Sequence, residues 1–305
     1  PSTGREKSSE WSHTKISPVQ DLKRKSIVVI GGGISGLHFS AIASERGHEI
    51  SIFEKSDKIG GHVLNYANLK GKERWLDLIE DVSHRCLSNN VKIECNAEMN
   101  EEKILNLNPD TLVVATGARW RKDGRTPYQP GSEGVPGHKQ QNVFDIETAL
   151  SLILKDNKAL GKNIIMIDES GGYLPLAVAK ILLSDTKAQV NMVTPEPRVG
   201  AEVYKTLELM QIMPELEALG INIFSETNVV SINKKEVQLL SIWGTKTHII
   251  DNVDSIIFST FRESINSLFY TKKLSGLERK LIGDAMAPRR PAQVIYEAEQ
   301  LGRKI

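Results

Sequence analysis

Ser26-Ile27-Val28-Val29-Ile30-Gly31-Gly32-Gly33-Ile34-Ser35-Gly36, followed by Ile50-Ser51-Ile52-Phe53-Glu54, is the passage on which the fold turns. It reads as an apolar strand, a glycine turn, a helix beginning near Ile34 and a second strand ending in an acid: the pattern of a dinucleotide-binding βαβ unit. Gly31 allows the tight turn, Gly33 has no side chain to block a pyrophosphate, and Gly36 lets the helix pack closely on the sheet. The helix N-terminus offers unpaired N–H groups and partial positive charge to phosphates. Glu54, eighteen residues past Gly36, is placed to accept hydrogen bonds from ribose hydroxyls and would repel a 2′-phosphate, which disfavours NADP. Ile34, Ser35 and Lys55 flank these positions and join them as candidate cofactor contacts.

The 305 residues suffice for about two domains, and 40% hydrophobic with 25% charged residues is ordinary globular composition. A net charge of +1 gives no reason to expect nucleic acid or membrane binding. No stretch approaches a membrane span, and the polar N-terminus does not read as a signal peptide, so a cytoplasmic location is the default expectation. Cys86 and Cys95 form neither a CxxC pair nor a disulfide framework, and the seven histidines show no metal-ligand spacing. No catalytic residue and no metal ligand is therefore assigned.

Residues 1–24 read as a polar, extended arm. The missing initiator methionine adds the expectation of a fragment or processed product. Lys58-Ile59-Gly60-Gly61-His62 is a second glycine turn, leading into a short helix near the phosphates. A helix at about Glu73 to Leu87 and strands at Val91–Cys95 and Thr111–Ala115 follow. In Thr116-Gly117-Ala118-Arg119-Trp120, small residues permit close approach to a cofactor or mark a domain crossover. The Gly- and Pro-rich loop from Lys122 to Gly137 is a natural boundary.

Asn163 to Ile167 opens a second βαβ pattern, with a helix near Tyr173 to Leu183 and a strand at Gln189 to Val193. Here the fingerprint fails. In one register Asp168, Ser170 and Tyr173 take the glycine positions, and in the next Glu169, Gly171 and Leu174 do; the following strand ends in Thr194-Pro195 rather than an acid. A retained scaffold is favoured over a working NAD(P)H site. A helix at about Val203 to Leu219 precedes five short strands from Asn222 to Ser259, read as a small antiparallel layer. Leu281-Ile282-Gly283-Asp284-Ala285 then leads to a helix ending near Arg303, with Gly283 allowing backbone approach to a cofactor and Asp284 able to bond ribityl or ribose hydroxyls.

Gly31 to Gly36, Ile59-Gly60-Gly61-His62, Val114-Ala115-Thr116-Gly117-Ala118-Arg119-Trp120 and Leu281-Ile282-Gly283-Asp284-Ala285-Met286-Ala287-Pro288-Arg289 occur in the order seen in flavoproteins with two dinucleotide domains. Together they resemble the C-terminal half of the trimethylamine dehydrogenase family, which includes dimethylamine and histamine dehydrogenases, N-methylproline demethylases and, further off, 2,4-dienoyl-CoA reductase. The resemblance runs from Lys25 to the end, and the arm around Ser2-Thr3-Gly4-Arg5-Glu6 and Trp11 is similar to the link these enzymes carry after their cluster.

It implies an α/β chain of two Rossmann-like FAD/NAD(P)-binding domains, three-layer ββα, the second inserted in the first. The expected division is an ADP/FAD-binding domain of 25–128 and 254–305, with 129–253 as the insert. ADP or FAD would be the cofactor: Gly31, Gly33, Gly36 and Glu54 on the ADP part, Gly61 and His62 on the phosphate side, Gly283 and Asp284 on the far side. FMN and a [4Fe–4S] cluster belong to an N-terminal TIM barrel that this chain lacks; the barrel is the implied partner, and an electron-transfer flavoprotein the implied acceptor. Two alternatives remain: a self-sufficient NAD(P)H-dependent FAD oxidoreductase, and a non-catalytic nucleotide-binding scaffold.

Overall fold

A computed structural model of the chain describes residues 15–126 and 133–305. Ser2 to Glu6, Trp11 and part of the Gly- and Pro-rich loop lie outside the described residues. After a 3-10 turn at Asp21–Lys23, the chain forms β1 (Ser26–Ile30), α1 (Ile34–Glu45), β2 (Glu49–Phe53), α2 (His62–Ala67), α3 (Trp75–Ser88), β3 (Lys92–Glu94), α4 (Glu101–Leu107), β4 (Thr111–Val114) and β5 (Ala118–Trp120). It continues through β6 (Val143–Asp145), α5 (Ile146–Lys155), β7 (Asn163–Asp168), α6 (Tyr173–Ser184), β8 (Gln189–Val193) and α7 (Leu209–Ala218). Then come β9 (Asn222–Phe224), β10 (Thr227–Asn233), β11 (Glu236–Ser241), β12 (Thr247–Ile250), β13 (Ser255–Ser259), β14 (Arg262–Ser264), α8 (Ser267–Tyr270), β15 (Glu278–Leu281) and α9 (Pro291–Lys304).

These elements make two compact units. The first comprises the described residues up to Arg119 together with Glu263–Ile305, and the second is Trp120–Arg262. Both crossings lie in β5 and β14, which pair as a two-stranded ribbon. The expected division at 128/129 and 253/254 lies nine residues inside the bounds of the second unit at each end.

Unit 1 is built on a five-stranded parallel sheet in the order β15-β4-β1-β2-β3. Its central strands are covered on both faces, which is why Ile27 to Ile30 is a continuous apolar run rather than an alternating one. One face packs Leu37, Phe39 and Ala41 of α1 with Ile295 and Ala298 of α9; the other packs Val28, Leu112 and Val114 with Ile104 and Leu274. Ile34 through Ser44 of α1 are all buried, so this helix shows no solvent face.

Unit 2 holds a five-stranded parallel sheet, β6-β13-β7-β8-β9, and a three-stranded antiparallel sheet, β10-β11-β12. Ile165, Ile167, Ile256 and Phe258 of the first share a core with Val229, Ile232, Val237 and Leu239 of the second. This is the expected three-layer Rossmann-like arrangement, with two corrections. The antiparallel layer contains the middle three of the five short strands only. β13 lies inside the parallel sheet with all five residues buried, and β9 forms its edge, because a strand buried on both faces belongs among parallel neighbours. The single helix expected over Val203 to Leu219 is broken: a 3-10 turn, Val203–Thr206, ends at Leu207 with φ +65° before α7 starts. The Thr206 hydroxyl donates to Val203 O at 2.9 Å, competing with the helical ladder.

Candidate nucleotide site

The β1–α1 turn shows three glycines with three distinct reasons to be glycine. At Gly31, φ is +109° and a Cβ would stand 2.3 Å from Ala115 O. At Gly36 a Cβ would meet Gly31 O at 2.1 Å, so the first turn of α1 rests directly on the glycine turn. At Gly33 the backbone is ordinary extended chain (φ −72°, ψ 175°), and nothing lies within 4 Å of a built Cβ. The open space over Gly33 is therefore room for something other than this unit's own atoms. Gly33 also caps α1 without a side-chain hydrogen bond, which leaves the first N–H groups of the helix to an outside acceptor.

Sheet order brings the other predicted segments to the same place. In β15-β4-β1-β2-β3 the strand order reverses between β1 and β4, and a ligand binds outside the carboxyl ends of strands at such a switch point. Gly60 N donates to Gly32 O at 2.8 Å and forms an isolated bridge with Gly33; a Cβ on Gly61 (φ +55°) would lie 3.3 Å from Gly33 Cα. His62 Nε2 is 2.8 Å from Ala118 O. Thr116 Oγ1 donates to Ile265 O, and Gly117 O accepts from Ile265 N at 2.9 Å. At Gly283 (φ +64°) a Cβ would fall 2.7 Å from both Cβ and Oγ of Ser35.

Charge and hydrogen bonding fill in the site. The buried Glu54 carboxylate accepts from Gly32 N at 2.7 Å and Ser56 N at 2.8 Å. An ionised carboxylate has about four lone-pair directions, so these bonds leave capacity for ribose hydroxyls. Ser35 is 8% exposed, and its Oγ has no hydrogen-bond partner among the described residues, a costly arrangement for a hydroxyl unless a ligand or water completes it. Asp284 Oδ1 accepts from Arg289 N at 2.8 Å. Glu297 Oε2 accepts from Gly283 N at 2.8 Å and Arg289 Nη2 at 2.6 Å. Lys55 is exposed one residue beyond Glu54. Glu297 and Ser56 were missed by sequence reasoning: neither belongs to a motif, and Glu297 stands fourteen residues from the glycine it binds.

The corresponding turn in unit 2 aligns differently from either register read in the sequence. Matched at the helix cap, Gly172 (φ −84°, ψ 179°) stands where Gly33 does, which makes Pro175 the counterpart of Gly36 and leaves one extra residue in the turn. Pro175 contributes no N–H at the third helical position, so the N-terminus of α6 has one donor fewer than that of α1. Asp168, fully buried, accepts from Gly171 N and Gly200 N, each at 2.8 Å. It holds Gly171 in its turn as Glu54 holds Gly32, but from the same strand rather than the next. Burial pushes the Asp168 carboxyl up to about 6 despite these donors, and burial with nearby Glu196 and Asp168 pushes Glu169 up to about 7. Among the described residues no group of three or more His, Cys, Asp or Glu is placed to hold a metal ion, and no helix is long and apolar enough to cross a membrane. Cys86 donates to Leu37 O at 3.3 Å, its thiol pushed up to about 12 by burial.

Comparison with known proteins extends these observations. Residues 29–89 match the NAD(P)-binding Rossmann-like domain model. The dimethylamine dehydrogenase of Hyphomicrobium sp. (strain x) is 24% identical over 331 aligned positions, which cover 97% of this chain and 43% of that enzyme. The probable N-methylproline demethylase of Rhizobium meliloti (strain 1021) is 24% identical, with 92% of this chain and 43% of the relative covered. The structure of 6-hydroxypseudooxynicotine amine oxidase from Pseudomonas geniculata N1 superposes with a TM-score of 0.85 over 95% of this chain and 43% of that one, at 24% identity. The chain is similar to the C-terminal part of these trimethylamine-dehydrogenase-like enzymes. It spans less than half the length of these relatives. Among the segments quoted for the resemblance, unit 1 brings Gly60 against Gly32, His62 against Ala118 and Gly283 against Ser35.

Proposed function

We propose that unit 1 binds an adenine nucleotide diphosphate, either ADP or the ADP half of FAD, and that the chain is the nucleotide-binding module of a larger iron–sulfur flavoprotein acting on N-methylated amines. The observation that carries the nucleotide reading is the pairing of open space over Gly33 with the partnerless, buried Ser35 Oγ at an uncapped helix start. In this reading the N–H groups at the start of α1 and Ser35 Oγ hold the phosphates. Glu54 takes the ribose hydroxyls, His62 stays oriented by Ala118 O, and Asp284 with Gly283 forms the far wall. FAD would supply hydride and electron storage at its flavin, whereas ADP would supply rigidity alone.

The amine chemistry is assigned to an N-terminal barrel carrying FMN and a [4Fe–4S] cluster, with electrons leaving to an electron-transfer flavoprotein in the cytoplasm. What supports it is the similarity of the chain to the C-terminal portion of relatives such as dimethylamine dehydrogenase. Unit 2 is assigned a scaffold role, because Thr194 rather than an acid stands directly after β8, where Glu54 stands after β2, and because a helix-start donor is lost at Pro175.

The test is to denature the purified chain and record the absorbance spectrum and mass of what it releases. An adenine diphosphate, with or without flavin absorbance in the visible, is the expected result, and no released or rebound nucleotide overturns the reading. Turnover of an N-methyl amine by the isolated chain would overturn the assignment of catalysis to a barrel.

A further inference from the structure

α1 and α9 are joined in the interior of unit 1 by a hydrogen-bonded polar network that no motif announces. His38, 3% exposed, lies on α1, and its Nε2 is 2.8 Å from Oε2 of Glu299 on α9, which is fully buried. The other carboxylate oxygen of Glu299 accepts from Arg303 Nε at 2.7 Å, one helical turn further along α9. An ionised carboxylate only accepts, so the histidine presents an N–H at Nε2. Burying such a group is costly unless it is paired on all sides, and an apolar trio of similar volume would pack these helices at least as stably. Stability alone therefore does not account for it.

Position does. His38 is one helical turn beyond Ile34 and three residues from Ser35, while Glu299 stands on the helix that follows Gly283 and Asp284. Close contacts flank the pair: Gly283, in the turn before α9, abuts Ser35 at one end, and at the other a Cβ on Gly302 of α9 would come 2.7 Å from Ile42 Cβ. An apolar contact tolerates sliding of one helix along another, whereas a buried hydrogen-bonded pair of polar side chains is satisfied at one register. We infer that His38 and Glu299 are positioning residues for the nucleotide site, setting the register of α9 on α1 and so the distance across which Gly283-Asp284 and the start of α1 grip the diphosphate. This rests on the nucleotide reading of unit 1. The pair touches no nucleotide; it acts through the two helices, and so on the phosphate part of the ligand more than on its adenosine part.

The readout is the ratio of adenosine to ADP dissociation constants, measured by calorimetry on the nucleotide-stripped 305-residue chain. His38→Leu is expected to cut that ratio by about tenfold, and His38→Gln, whose amide N–H can still donate to Glu299, to restore it to within about threefold of wild type. Glu299→Met, which keeps much of the side-chain volume but removes the acceptor, serves if His38→Leu does not fold, with the same expected loss. A lower melting temperature with an unchanged ratio would show a merely structural role and overturn the inference, as would failure of His38→Gln to restore the ratio. A wild-type chain that binds ADP but shows no change in ratio in either variant overturns this inference alone; one that binds no adenine nucleotide overturns the nucleotide reading with it.

Discussion

At the residue scale, the first fingerprint separates two demands that a glycine count merges. Gly36 is required by the protein: any side chain there meets a carbonyl oxygen at 2.1 Å. Gly33 is required by nothing in its own unit, since its backbone is ordinary and the space beside it is open. Gly36→Ala is thus expected to lower the chain's stability by about 2 kcal/mol or more, in the range of overpacked cores. Gly33→Ala should leave the melting temperature of the stripped protein within a degree or so but weaken ADP binding by at least tenfold, because its methyl group occupies the pyrophosphate approach. Urea unfolding and calorimetry on the two variants check the contrast; equal effects of both substitutions on stability would show that the open space is not a ligand seat.

At the element scale, the two strand–turn–helix passages show how one architecture was built twice with different chemistry. Around β1 and α1 the lock on the turn comes from Glu54 at the end of the neighbouring strand; around β7 and α6 it comes from Asp168 within the turn's own strand. This difference has a pH signature. Asp168 and Glu169 have folded-state values raised to about 6 and about 7 from 3.8 and 4.5, so between roughly pH 4 and 7 the folded chain binds more protons than the unfolded one. Stability should then fall as pH rises through that window. Glu278 acts in the other sense and lower down: Lys25 and Lys280 beside it hold its carboxyl down to about 2, so its contribution is present above about pH 4.5 and lost as pH falls toward 2. Being two-fifths exposed, it contributes little. Thermal midpoints at pH 5 and pH 8 check the prediction: wild type is less stable at pH 8, and Asp168→Asn narrows the gap. A wild-type midpoint that rises from pH 5 to pH 8 would count against it.

At the scale of the whole molecule, two nucleotide folds share one chain, and the geometry equips them unequally. Ligand that binds only the folded state stabilises by RT ln(1 + [L]/Kd), about 2.7 kcal/mol at a hundredfold excess over Kd. Added ADP is therefore expected to raise the thermal midpoint of the stripped chain by several degrees, and NADH at the same concentration to raise it by no more than its own ADP moiety achieves at unit 1. Scanning fluorimetry with both ligands, with Gly33→Ala to silence unit 1, distinguishes them. An NADH shift that survives in Gly33→Ala would restore unit 2 as a pyridine-nucleotide site.

Much of this was legible in the sequence because its signals are local. The run Ile27 to Ile30, the glycines at 31, 33 and 36, the acid at 54 and the second glycine turn at 60–61 each reflect a backbone need met within a few residues, so residue types alone announce strand, turn and helix. The failure of the second fingerprint was legible for the same reason. What composition could not reveal depends on partners distant along the chain. β13 reads like its antiparallel neighbours until the sheet shows it buried between β6 and β7; Gly172, rather than Gly171, caps α6 because the turn holds one more residue. Ser35 Oγ lacks a partner only once Gly283 is folded against it, and the link from His38 to Glu299 spans 261 residues. The sequence by itself determined that a strand, a glycine turn and a helix follow one another at Ser26 to Glu45, since that is a matter of local φ, ψ and side-chain size. Only the tertiary structure decided that Ser35 Oγ is left without a partner beside the first turn and that His38 meets Glu299 in the interior, because both follow from which groups remain together after everything else has packed.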